Sequence, residues 1–178
     1  MLSTPLEHFN AAPAEEARRV LLTCLHSRAW ADRVTAHRPY PDLDTLLAAA
    51  DEAAYDLAAA DLAQALAAEP LPRLPAGAYS AAHTALSAAN AAYEARFGHV
   101  FVICLDGLAG DEVLNHLLAA IRSRLANDPE EERAVTAEEL RRLARGRLAR
   151  ALASAGPRPG ARLRPRGVTS HNTSAGGR

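Results

Sequence analysis

The stretch from Asn90 to Cys104, N-A-A-Y-E-A-R-F-G-H-V-F-V-I-C, most constrains how this chain can fold. Nearly everywhere else the sequence is alanine- and leucine-rich and reads as helix. Here a helical pattern carrying Tyr93 and Arg96 breaks at Gly98, and an unusually apolar run follows. The stretch holds two of the three phenylalanines and one of the two cysteines. A connection with such residues belongs inside the fold. Buried backbone that is not helical must find partners for its N–H and C=O groups, or leave them to a ligand. A pocket is therefore expected against this segment.

Composition narrows the class. A chain of 178 residues is long enough for one domain with a proper core. The formal net charge of -1 gives no reason to expect a nucleic-acid partner. Cys24 and Cys104 lie in apolar surroundings and read as buried free thiols. No CxxC pair or His/Cys cluster suggests a metal. The opening M-L-S-T-P-L-E-H-F-N lacks the pattern of a signal peptide, and no apolar run is long enough to span a bilayer. No membrane association is expected, and the location expected by default is cytoplasmic.

Along the chain, start and stop signals mark one helix after another. Thr4-Pro5 opens the first, and Asn10 to Pro13 breaks it. A second runs from Pro13 to about Leu25, with Glu15 and Glu16 at its positive end and Ala17, Val20, Leu21 and Cys24 along one stripe. Ser27 caps a third that carries Trp30, read as a core anchor, and stops near Pro39. Asp42 or Asp44 caps the next, and a short helix covers about Asp61 to Ala68. Glu69 to Ala78 is a proline-rich loop, and Ser80 or Ala81 opens the helix that enters the central break. Another helix starts at Gly110-Asp111. Asp128-Pro129 starts the last, to about Leu152, with Glu131 at a capping-box position. Val100 to Leu105 has the makings of one short strand, but it has no partner. The reading is a single all-α domain over residues 1–153. Residues 154–178, rich in arginine, proline and glycine, are expected to form a disordered basic tail.

Few residues suggest chemistry. Glu69, at a helix end before Pro70, is either a general acid or base or a surface glutamate. His83 can supply an imidazole or stand exposed. The backbone of His99 counts for more than its ring. Arg122 and Arg124 offer guanidinium forks suited to a carboxylate or ureido ligand, or pair with Glu130, Glu131 or Glu132. Asn127 is either a ligand contact or a helix-end residue. Tyr93 reads as packing. No metal-ligand spacing, phosphate-binding glycine pattern or nucleophile elbow is present.

The order of these motifs resembles the 2-oxo-4-hydroxy-4-carboxy-5-ureidoimidazoline (OHCU) decarboxylase family. The resemblance covers about Phe9 to Leu152. Its residues are F-N-A-A-P-A-E-E-A, L-L-T-C-L-H-S-R-A-W-A-D-R-V, Asn90 with Tyr93, R-F-G-H-V-F-V-I-C, and R-L-A-N-D-P-E-E-E-R-A-V-T-A-E-E-L. It implies an all-α fold, a homodimer, no metal and no organic cofactor. It implies decarboxylation of a small anionic heterocycle to S-allantoin in urate degradation. The alternatives are a family fold recruited to another small acidic or heterocyclic substrate, and a non-catalytic binding domain.

The resemblance also implies site residues. Glu69-Pro70 stands where the family has a His-Pro pair whose histidine is catalytic. The family's Ser-x-x-Glu-Gln stretch is met only by S-A-A-H-T at Ser80 to Thr84, which puts His83 near the position of a site glutamate. Arg124 matches the site arginine. The catalytic set so implied is Glu69, His83 and Arg124. Pro70, Phe97, Gly98, His99, Val100, Phe101, Val102 and Asn127 are implied to bind substrate.

Overall fold

Short polar side chains decide where the helices begin. Thr4 and Glu7 form a reciprocal capping box, with the Thr4 N–H donating to the Glu7 carboxylate at 2.7 Å. Ser27 Oγ accepts from the Trp30 N–H, and Asp42 accepts from the Thr45 N–H. The Asp128 carboxylate accepts from the N–H groups of Glu130 and Glu131. The computed structural model describes residues 4–154. They form α1 Pro5–Ala11, α2 Ala14–Cys24, α3 Arg28–Ala36, α4 Leu43–Tyr55, α5 Ala59–Ala68, α6 Ser80–Phe97, α7 Val113–Arg124 and α8 Pro129–Ser154. The expected all-α architecture is the one observed. Apart from Ser154, which closes α8, the tail expected over 154–178 lies outside the described residues.

The apolar faces of these helices build two cores. The larger packs α1, α2, α3, α4 and α5 against α8, with Trp30, Leu21, Leu46 and Leu148 fully buried in it. Trp30 is the anchor expected, and its indole N–H donates to the Ala50 carbonyl at 2.9 Å. The smaller lies between α6 and α7 around Tyr93, Phe101, Leu117 and Ile121. Cys24 and Cys104 are free thiols, the first buried and the second half-buried.

The central segment is the seam between the two cores. After Gly98, which ends α6 in the left-handed conformation at φ 77°, residues 99–105 run without regular structure. Their side chains alternate. Val100 and Val102 enter the larger core, while Phe101, Ile103 and Leu105 enter the smaller. This is the period of a strand, with no neighbouring strand among the described residues. Side chains take the place of the missing ladder: Arg124 Nη1 donates to the Val102 carbonyl at 2.6 Å, and the Cys104 N–H donates to the Glu139 carboxylate at 2.7 Å. The chain then turns at Gly107 (φ 87°), and α7 begins at Val113, later than the Gly110-Asp111 start expected.

Arg124 is tied to more than Val102. It pairs with Glu132, the side chains being 9% and 1% exposed, and its Nη2 also donates to the Thr136 hydroxyl at 2.9 Å. The Tyr93 hydroxyl donates to the same Glu132 oxygen, and the Asn127 amide donates to the other at 2.9 Å. The guanidinium lies over the Phe101 ring, 4.5 Å from its centroid. Burial together with the Glu132 hydrogen bond pushes the Tyr93 phenol up to about 12. Burial works against the ionised form of Glu132, but the hydrogen bonds from Arg124, Tyr93 and Asn127 and the Arg124 charge hold it below the usual carboxylate range.

Glu132→Ala would leave a buried guanidinium unpaired, and is expected to cost about 3–5 kcal/mol in chemical denaturation. A carboxyl held low in the folded state contributes stability above its unfolded pKa and loses it as pH falls. Asp42, held low by its hydrogen bonds from Thr45, and Glu138, held down to about 2 chiefly by hydrogen bonds from Arg141, are others. Unfolding free energy is therefore expected to fall as the pH drops from about 4.5 towards 2, with a shallower slope in Glu138→Gln.

Candidate functional site

Pro70 stops α5, and Glu69 is left at its C-terminal cap with extended backbone. The Glu69 side chain turns inward to Arg147 of α8. Its two oxygens accept from Nη1 and Nη2 at 2.7 and 2.8 Å, and Arg147 Nη1 also donates to the Cys24 carbonyl at 3.1 Å. The Glu69 side chain is 5% exposed and that of Arg147 28%, so the pair lies at the base of a depression and not on an open surface. This two-pronged geometry uses the planar fork of arginine.

The depression is a groove of about 200 Å³. Pro70, Leu71 and Pro72 form one wall, and Phe101, Val102, Ile103 and Leu105 form the other. Asp106 stands at the rim, where its carboxylate accepts from Arg150 at 3.0 Å. A side chain at Gly146 would run into the Asp106 carboxylate, so the glycine in mid-helix is what lets Asp106 approach α8. The groove therefore holds two carboxylates, Glu69 and Asp106, and one guanidinium, Arg147, on largely apolar walls. Such a site can hold a small polar heterocycle by paired hydrogen bonds and move a proton at Glu69. Among the described residues, no group of three or more His, Cys, Asp or Glu side chains is arranged to hold a metal ion.

The structure brings some of the expected residues together and separates others. Glu69, Pro70, Phe101 and Val102 meet in this groove. Phe97, Gly98, His99 and Val100 face a different cleft, beside α5. His83 stands exposed on α6, whose buried residues are Ala82, Leu86, Asn90 and Tyr93, and does not line the groove. The Glu69/His83 pairing is thus not formed. Arg124 does not line the groove either: it lies buried behind Val102, and Glu132, Tyr93, Thr136 and the Val102 carbonyl take up its donors. Of the partners open to it in the sequence, Glu132 is the one it takes. Asn127 braces Glu132 and lies outside the groove.

The arginine that accompanies Glu69 is Arg147, which the sequence reading missed among the many arginines of α8. One signal pointed to it. Gly146 precedes it inside a long helix, where glycine costs roughly 1 kcal/mol relative to alanine, so another segment must need the space.

The family model described as OHCU decarboxylase matches residues 10–76 and 73–149. Among solved structures, the chain resembles "Crystal structure of (S)-allantoin synthase" with a TM-score of 0.68 at 19% identity, over 84% of this chain and 54% of that one. It thus spans about half the length of that relative. It also resembles "Crystal structure of OHCU decarboxylase in the presence of (S)-allantoin", with a TM-score of 0.66 at 21% identity, over 80% of this chain and 100% of that one. At these identities the two structures establish the fold. A sequence comparison with curated proteins gives no match.

Arg147→Met strands the Glu69 carboxylate. It is expected to cost about 2–3 kcal/mol, below the full figure for a buried pair because Arg147 keeps some contact with water. Glu69→Leu combined with Arg147→Met should recover most of that loss in denaturant unfolding. Gly146→Ala should keep net stability within about 1 kcal/mol of the parent, since the helical gain offsets the displaced Asp106.

Proposed function

The chain belongs to the OHCU decarboxylase family, and we propose that it decarboxylates 2-oxo-4-hydroxy-4-carboxy-5-ureidoimidazoline to S-allantoin in the Glu69–Arg147 groove. The observation that carries this reading is the convergence on one open groove of the Glu69-Pro70 helix end, the Phe101–Ile103 strip and Arg147. The reaction removes carbon dioxide from a carbon that bears a hydroxyl and adjoins an imine. The electron pair of the broken carbon–carbon bond passes into the ring, and a proton must then arrive on one face. Arg147 is the groove cation suited to the substrate carboxylate or ureido oxygen, and to charge developing in the ring. Glu69 is the group placed to hold and deliver the proton. The apolar walls, in this reading, pack against the other face of the bound ring. In this reading the substrate shares or exchanges the Arg147 fork with Glu69 as it enters, and the protein acts as a homodimer without metal or organic cofactor.

A second reading rests on one specific observation. Arg147 is already matched by Glu69, and His83 is remote from the groove. Such a site attracts a free carboxylate less than an unpaired arginine would. It favours a family member recruited to a less anionic heterocycle, or one that binds without turnover.

Circular dichroism during coupled urate oxidation separates the two. Urate oxidase and the hydrolase that follows it generate the labile substrate in place. The first reading expects rapid appearance of the S-allantoin signal, slowed at least ~100-fold in Glu69→Gln. Racemic product at the uncatalysed rate would overturn it and favour the second.

A further inference from the structure

The cleft beside α5 has its own chemistry. It consists of two adjoining cavities of about 270 and 390 Å³, which share Ala63, Leu66 and His99 as lining residues. Alanines at positions 59, 63 and 67 fall on one face of α5 and leave the space open, with Leu62 and Leu66 beneath them. Phe97 and Val100 form the opposite wall. The central segment runs between this cleft and the Glu69–Arg147 groove: residues 97–100 line one, and Phe101, Val102, Ile103, Leu105 and Asp106 the other.

Charge distinguishes the two ends. Arg96 and Arg133 stand at the end near the start of α8. Arg96 Nη2 donates to the Asn127 carbonyl at 2.9 Å, and its guanidinium lies 5.2 Å from the Phe97 ring centroid. It forms no ion pair with a carboxylate among the described residues. Among the described residues Arg133 pairs only with Glu130, and the two side chains are 55% and 77% exposed, a contact that an incoming carboxylate can replace at little cost. Glu94 lines the other lobe, where a second anionic group would be repelled. The surroundings therefore call for one negative head at Arg96 and Arg133 and an uncharged apolar body running along Ala63 and Leu66.

We propose that this cleft binds a small amphipathic monocarboxylate, such as a medium-chain alkanoate or an arylalkanoate, at a site distinct from the Glu69–Arg147 groove. The guanidinium already stacked on Phe97 gives the head a positioned fork, and the alanine face of α5 takes the body.

Isothermal titration of the full chain tests this with octanoate as probe and hexanedioate as the two-headed control. Octanoate is expected to saturate one site per chain, and hexanedioate to bind at least ~10-fold more weakly because its second carboxylate meets Glu94. Arg96→Gln should weaken octanoate ~10-fold or more by removing a charged hydrogen bond. Ala63→Leu, an exposed position that can be enlarged without disturbing the core, should abolish binding by filling the cleft. Glu69→Gln should leave octanoate binding unchanged. No saturable heat, equal affinity for the two acids, or insensitivity to both Arg96→Gln and Ala63→Leu would overturn the proposal. So would sedimentation showing a dimer that Ala63→Leu dissociates, since a second copy would then fill the cleft.

Discussion

The buried pair between Arg124 and Glu132 holds the two halves of this protein together. Neither core contains it alone. Arg124 closes α7, Glu132 lies in the first turns of α8, Tyr93 comes from α6, and the Val102 carbonyl belongs to the seam between the cores. An isolated charge in such a place would cost several kcal/mol. The cost is offset because each ion meets several partners: Glu132 accepts from Arg124, Tyr93, Thr136 and Asn127, and Arg124 donates to four groups. Such a network specifies an arrangement more than it adds stability, because a shift of any member leaves the others unsatisfied. What it specifies is the course of residues 99–105, and with it the positions of both cavities.

Much of the architecture was legible in the residues. Thr4, Ser27, Asp42 and Asp128 mark helix starts because a short oxygen-bearing side chain meets otherwise unpaired N–H groups. Pro70 and Gly98 mark stops for equally local reasons. The burial of the central segment also followed from its composition, and so did its need for backbone partners. The identity of those partners did not. Arg124 and Glu139 are far from Val102 and Cys104 in sequence, and no local rule distinguishes them from other arginines and glutamates on the same helices.

The candidate groove was legible on one side only. Glu69-Pro70 and the Phe101–Val102 strip are marked by chain breaks, which sequence shows well. Their cationic partner sits on α8, where arginines recur so often that helical spacing cannot single one out. Treating residues 97–102 as one lining surface also overlooked where the segment changes cavity. The turn out of α6 at Gly98 leaves residues 97–100 beside α5, whereas Phe101 and Val102 line the Glu69–Arg147 groove. Composition does not show where along an apolar run that change falls.

The pairing of Glu69 with Arg147 has a further consequence for how the groove meets salt. Glu69 is a counterion on a tether, held by the backbone at the end of α5 and available at an effective concentration that no dissolved ion easily matches. Small inorganic anions must displace it to reach the guanidinium, so the Arg147 fork is shielded against chloride and phosphate alike. Under the proposed function, a ligand would gain entry by offering Arg147 an acceptor while also giving Glu69 a hydrogen-bond donor. The groove would then discriminate by hydrogen-bond pattern where an unpaired arginine would discriminate mainly by charge.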